Sequence, residues 1–253
     1  MDLSIRALAV WRRNFLVWRK LALPSILGNL ADPMIYLFGL GYGLGGLLPQ
    51  VGGTSYIAFL AAGTVCASTM NAASFEALYS AFSRLHVQKT WEAIMNAPVS
   101  LDDVVAGELL WAASKATLSG AAILLVIALL GLTHGMQALW VLPLIFLTGL
   151  AFAALGLCVT AVAPSYDFFM YYFTLFVTPM TLLSGVFFPL DQLPAAMQVA
   201  AQALPLTHAV GLARPLLLGQ VPTDVFGHIA VLTIITVAAF ATAVSLARRR
   251  LLK

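Results

Sequence analysis

Six long apolar stretches dominate this 253-residue chain, near Leu21–Leu48, Ser55–Phe82, Leu101–Leu132, Leu139–Ala163, Phe168–Pro189 and Val225–Ala247. About 20 apolar residues in a helix match the hydrocarbon thickness of a bilayer. No water-soluble fold of this size has an interior large enough to hide six such runs. The polar remainder agrees: 9% of the chain is charged and 61% apolar, where a soluble domain carries about 25% charged residues. The sequence therefore predicts an all-α polytopic membrane protein with six transmembrane helices, forming one transmembrane domain over residues 1–253. A soluble enzyme is ruled out, and a net charge of +3 is too small to imply a nucleic-acid partner. Cys66 and Cys158 fall inside apolar runs and read as small buried hydrophobes.

Residues 1–20 place Leu8, Trp11, Phe15 and Trp18 on one helical stripe, with Arg6, Arg12, Arg13, Arg19 and Lys20 away from it. This pattern predicts a helix lying in the membrane interface, aromatics sunk in and cations toward the headgroups. The simpler alternative is a positive-inside anchor. The segment lacks the short apolar core and cleavage site of a signal peptide. Basic residues gather in this tail, in the C-terminal tail (Arg248, Arg249, Arg250, Lys253) and between stretches 2 and 3 (Arg84, Lys89). The connections on the other side hold only Arg214, so both termini are predicted to be cytoplasmic.

Two regions depart from span-and-loop. Between stretches 2 and 3, Thr90 is placed to cap a short helix with Glu92 in its first turn, and Pro98 ends it. Trp91, Ile94 and Met95 would be available for contact there, unless the segment is only a capped interfacial loop. Ser100-Leu101-Asp102-Asp103 resembles a capping box opening the third span. After Phe188, residues 190–220 are apolar, yet their pieces near Gln192–Ala203 and Leu206–Leu217 are too short to cross. They are predicted to be re-entrant helices, and span 6 follows at 225–247.

Ionisable groups within the apolar runs each invite a role, because a charge in mid-bilayer is costly. Glu76 and Lys115 lie at matched depth in adjacent spans and are predicted to form an intramembrane ion pair. Exchanging their charges should then restore part of the stability lost in Glu76→Ala. Asp32, before Pro33, is expected to face the protein interior at a local helix break, and Glu108 to reach interfacial water. No GxxxxGK[ST] loop, HExxH, CxxC or GxSxG can be written, which leaves no nucleotide, metal or hydrolase site of the chain's own. A secondary transporter or channel using Asp32, Glu76 and Lys115 is the competing class, although no internal repeat is visible. The aromatics of stretch 5, Tyr172 and Phe176 among them, suit either an interfacial belt or the wall of a passage.

Three stretches carry a family resemblance: Asp32-Pro33-Met34-Ile35-Tyr36-Leu37-Phe38-Gly39-Leu40-Gly41-Tyr42-Gly43-Leu44-Gly45, then Thr90-Trp91-Glu92-Ala93-Ile94-Met95-Asn96-Ala97-Pro98-Val99-Ser100, and Ser184-Gly185-Val186-Phe187-Phe188-Pro189 continuing through Leu204-Pro205-Leu206-Thr207-His208. With these the chain resembles permease subunits of the type-2 ABC exporters, close to the nodulation protein J family that exports lipo-oligosaccharides. The resemblance implies a homodimer in the bacterial inner membrane, each protomer seated on a separate cytoplasmic ATPase that binds ATP and Mg. The permease would then be no enzyme and hold no cofactor. Thr90, Trp91, Glu92, Ile94, Met95, Asn96 and Pro98 would form the ATPase-coupling helix. Spans 1, 2 and 5 would line the translocation path, with Asp32, Tyr36, Tyr172, Phe176, Phe187 and Phe188 among its residues. The cargo would be a lipo-oligosaccharide, glycolipid or polysaccharide-like molecule moved outward, or alternatively a hydrophobic drug.

Overall fold

The computed structural model describes residues 3–48 and 50–251. Its helices in chain order are α1 (Ala7–Trp18), α2 (Ala22–Gly43), α3 (Tyr56–Val87), α4 (Thr90–Met95), α5 (Leu101–Leu129), α6 (Val141–Val162), α7 (Phe168–Leu183), α8 (Ala195–Ala201), α9 (Pro205–Leu217) and α10 (Val225–Leu251). Between α2 and α3 lies a two-residue-strand hairpin, Gln50–Val51 against Thr54–Ser55. Gly52 and Gly53 make its turn, both at positive φ.

Among the described residues five helical runs are long and apolar enough to cross a membrane: Ala7–Gly43, Tyr56–Val87, Leu101–Leu129, Met136–Val162 and Val225–Leu251. The fifth predicted span differs. Its helix runs only from Phe168 to Leu183, 16 residues, and so covers about 24 Å. Gly185 ends it in the left-handed region at φ +74°, the usual chain reversal after a helix. The third span, by contrast, matches its expected start at Leu101 because Ser100 Oγ accepts from Asp103 N while Asp103 Oδ2 accepts from Ser100 N.

α3 is the central element, buried on nearly all sides and packed by α2, α5, α6 and α9. Small residues permit this crowding. Gly63 abuts the Val186 backbone, and in α6 Gly149 meets the Ala113 backbone while Gly156 meets Ala77. α8 and α9 follow the Gly185 turn; α8 packs on the end of α7, and α9 on α3, α6 and α10. α2 is different: Leu23, Leu27, Ile35, Phe38 and Tyr42 all face outward from the chain.

The N-terminal helix corrects one expectation. Its aromatic stripe points into the protein, where Trp11 Nε1 donates to Ser114 Oγ at 3.0 Å and Phe15 and Trp18 meet Trp111 edge-on. Val10 sits on Gly107, where an added Cβ would stand 2.5 Å from Val10 Cβ and 2.7 Å from the Ala7 carbonyl oxygen. Gly107→Leu is therefore expected to prise α1 off α5 at a cost of about 1–3 kcal/mol. A lower melting temperature with faster tryptic cleavage at Arg12 and Arg13 would report it; unchanged cleavage would argue against this packing.

Basic residues of the C-terminal tail make specific contacts. Arg248 grips Asp102 with two hydrogen bonds of 3.0 and 2.6 Å, and Arg250 donates to the carbonyls of Thr160, Ala161 and Ala163 at the end of α6. Ser4 binds Asp103 through its backbone N–H and its hydroxyl, and Arg6 donates to the Pro98 carbonyl. The starts of α1 and α5 and the ends of α6 and α10 are thus tied together at one face.

Candidate functional site

Near that face, α3 leaves α-helical geometry for two π-helical turns, Glu76–Ser80 and Ser83–Val87. In an ideal α-helix, residues eight apart are about 80° out of line. A π-turn takes up an extra residue, so Glu76, Ser80 and Arg84 come onto one face. Arg84 then reaches two carboxylates. Its Nη2 donates to Glu76 Oε1 at 2.9 Å and to Glu108 Oε2 at 2.5 Å, and its Nε donates to Glu108 Oε1 at 2.8 Å. Lys115 Nζ donates to Glu76 Oε2 at 2.7 Å, joined by Ser80 Oγ at 2.9 Å, and Trp111 Nε1 donates to Glu76 Oε1 at 2.8 Å. Both carboxylates are shut away, with Glu76 3% and Glu108 1% exposed. Such groups persist inside a protein only when fully paired.

The network continues into α4. Trp91 Nε1 donates to Glu108 Oε1 at 3.1 Å. An unbroken chain of hydrogen bonds thus runs from α4 through Glu108, Arg84 and Glu76 to Lys115. The expectation that the Trp91 ring is available for outside contact is therefore corrected, since it is only 2% exposed. Ile94 and Met95 are half-buried against the core. The outward face instead carries Val87, Gln88, Lys89, Glu92, Ala93, Asn96 and Pro98. Nor is Thr90 the cap: Lys89 takes that position in left-handed geometry, φ 50°, while the Thr90 hydroxyl donates to Gln88 Oε1. Glu108, expected near interfacial water, is sealed by Arg84 and Trp91.

A second feature lies between α2, α3 and α7. A groove of about 400 Å³ is lined by Asp32, Tyr36, Thr64, Ser68, Asn71 and Thr181 with the rings of Phe75, Phe173 and Phe187. It adjoins a more apolar hollow of about 580 Å³, which shares Phe187 and adds Phe188, Tyr56 and Gln50. The combination offers hydroxyl, amide and carboxylate groups beside aromatic faces, suited to a molecule with both polar and apolar parts.

Of the six residues assigned to a path, Asp32, Tyr36, Phe187 and Phe188 line these two spaces. Tyr172 does not. It is buried in the core with its hydroxyl 3.5 Å from Ser74 Oγ, and Phe176 stacks on its ring from the exposed side of α7, outside the groove. Asp32 is also corrected: α2 stays helical through Pro33, and the carboxylate faces outward into the groove. Glu76 and Lys115 line a separate crevice, so the three groups of the competing transporter hypothesis do not share one cavity.

Sequence spacing missed three arrangements. Arg84 was assigned to a connection, yet it is the hub of the network; without the π-turns its eight-residue separation from Glu76 gave no signal. Arg214 is half-buried in α9 over the Phe59 ring, 3.6 Å from its centroid, and donates to the Gly185 carbonyl at 2.5 Å. It pins α9 to α3 and to the turn after α7. His208 and His228 meet through their Nδ1 atoms at 2.8 Å. Among the described residues no three His, Cys, Asp or Glu gather where a metal could bind.

Comparison with known proteins adds the following. The family model described as ABC-2 type transporter matches residues 6–218. The chain is 55% identical to Nodulation protein J of Rhizobium leguminosarum bv. viciae over 246 residues, 97% of this chain and 95% of that protein. It is 53% identical to Nodulation protein J of Rhizobium meliloti (strain 1021), covering 97% and 94%. A more distant relative, Nodulation protein J of Azorhizobium caulinodans, is 38% identical over 72% of this chain and 71% of that protein.

Proposed function

We propose, since this chain belongs to the ABC-2 type transporter family, that it is the permease half of an ATP-driven exporter for an amphipathic substrate. One observation carries the reading: the hydrogen-bonded chain from Trp91 in α4 to Glu76 and Lys115 between α3 and α5. It gives an ATPase docked on α4 a rigid handle on the helix that walls the groove. The outward residues of α4, Glu92, Asn96 and Pro98 together with Lys89, form the docking face. The ATPase is a separate cytoplasmic subunit that binds ATP and Mg.

In this reading α7 completes six spans with both termini cytoplasmic, in a bacterial inner membrane. A short span is tolerated where the bilayer thins or the helix is shielded by protein. The outward apolar face of α2 packs against a second copy, closing two grooves into one path. α8 and α9 sit at its outer end. The cargo in this reading is the one the sequence resemblance implies, a lipo-oligosaccharide or related glycolipid or polysaccharide, and the polar-aromatic lining of the groove suits that chemistry. A hydrophobic drug would fit the aromatic part but leave Asp32 and Asn71 facing it without partners.

The test is purification of the tagged chain in mild detergent, followed by reconstitution. About one copy of an ATPase per permease is expected, with transport of an acylated oligosaccharide in vesicles only when ATP is supplied. Transport by the chain alone, driven by an ion gradient, would overturn the exporter reading in favour of a secondary transporter.

A further inference from the structure

Beneath α1 lies a crevice of about 180 Å³ whose lining includes Arg13, Asn14, Arg84, Trp111, Lys115 and Glu76. Glu76 and Glu108 balance Arg84 and Lys115 through the contacts already described. Arg13 is additional: among the described residues it pairs with no carboxylate, and its Nη1 donates to Asn14 Oδ1 at 2.9 Å. The crevice therefore holds an excess of one positive charge. Because a guanidinium only donates, the amide oxygen of Asn14 must be the atom facing it. The amide NH2 is turned elsewhere, and Nδ2 is buried with no acceptor. A surplus cation and an orphan donor in one crevice both call for an oxyanion.

The surroundings say which kind. Arg13 and Val17 also line a wider groove along the outer side of α1, where Arg12, Arg19 and Lys20 alternate with exposed Leu8 and Leu16. Cations set among apolar side chains match a phosphate that carries acyl chains. We propose that this crevice binds the phosphate of an anionic phospholipid, seated between Arg13, Asn14 and Lys115, with its chains along Leu8, Leu16 and Val17. The site requires only that α1 lie against a membrane and is independent of the exporter reading. Its phosphate competes with Glu76 for Lys115, so membrane composition would tune the network that begins at Trp91.

Native mass spectrometry of the full-length protein, titrated with dioctanoyl phosphatidylglycerol, dioctanoylglycerol and inorganic phosphate, tests the site. One phosphatidylglycerol per chain is expected to be retained, and no dioctanoylglycerol. Affinity should fall about tenfold in Arg13→Gln and in Asn14→Leu, each of which removes a charge-assisted contact or fills the space. It should change less than about twofold in Arg249→Gln, an exposed cation elsewhere. Melting curves identify any variant that fails to fold, and Arg13→Gln carries the test if Asn14→Leu does. Equal losses in Arg13→Gln and Arg249→Gln would mean diffuse surface attraction and overturn the site. Inorganic phosphate binding as tightly as phosphatidylglycerol would overturn the lipid in favour of free phosphate.

Discussion

Arg84→Met is expected to destabilise the protein by about 3–5 kcal/mol, the cost of stripping one partner from buried ions. The methionine fills a similar volume, so packing changes little and the loss is electrostatic. Glu108 suffers most, because Trp91 Nε1 would be its only remaining side-chain donor among the described residues. Glu76 keeps Lys115, Ser80 and Trp111. The double variant Arg84→Met with Glu108→Gln should recover at least half of the loss, since it removes the charge that Arg84 was neutralising. Thermal melting in detergent measures both. A single variant that melts like the parent protein would show that the carboxylates are hydrated and that the network is decorative.

The same geometry reverses the expectation for exchanging Glu76 and Lys115. Considered as an isolated pair, the exchange restores attraction. With Arg84 Nη2 standing 2.9 Å from Glu76 Oε1, a lysine at 76 would face a guanidinium while Glu108 gained nothing. Exchange is therefore expected to be no better than Glu76→Ala.

The membrane character and most helix positions were legible because long apolar runs have one physical solution in a bilayer, and because Ser100 and Asp103 mark the start of α5 with a local, self-contained capping pattern. What was illegible depends on register or on distant chain. Val186, Phe187 and Phe188 read as the apolar end of a span, yet Gly185 turns the backbone before them, and a glycine within a membrane helix is common enough to give no warning. Arg84 could not be assigned to Glu76 because an eight-residue separation puts two side chains on different faces unless π-turns intervene. The inward orientation of Trp91 was equally hidden: a six-residue helix has no face of its own until Glu108 arrives from α5. For Asp32, proline suggested a break, but α2 remains helical and the carboxylate turns to the groove.

Trp91 gives the sharpest separation between holding the fold and transmitting motion. Trp91→Ala should cost about 3–5 kcal/mol, as for other buried aromatic truncations, and so cannot by itself distinguish the two. Trp91→Phe keeps an aromatic ring and removes the N–H that reaches Glu108, at about 1.5–3 kcal/mol for a bond to a charged group, with a smaller packing loss from the missing pyrrole atoms. Glu92→Arg lies on the exposed side of the same helix and touches nothing in the core. If α4 is both dock and lever, these two variants fail differently. Glu92→Arg should lose the ATPase on purification while its melting temperature stays within a degree or two of the parent, as expected for a surface change of under about 0.5 kcal/mol. Trp91→Phe should retain the ATPase and its ATP hydrolysis but transport fewer molecules per ATP consumed. Full transport per ATP in Trp91→Phe would mean that motion passes from α4 to the spans by packing alone, and the Glu108–Arg84–Glu76 chain would then be a means of keeping two carboxylates inside the membrane without a part in the stroke.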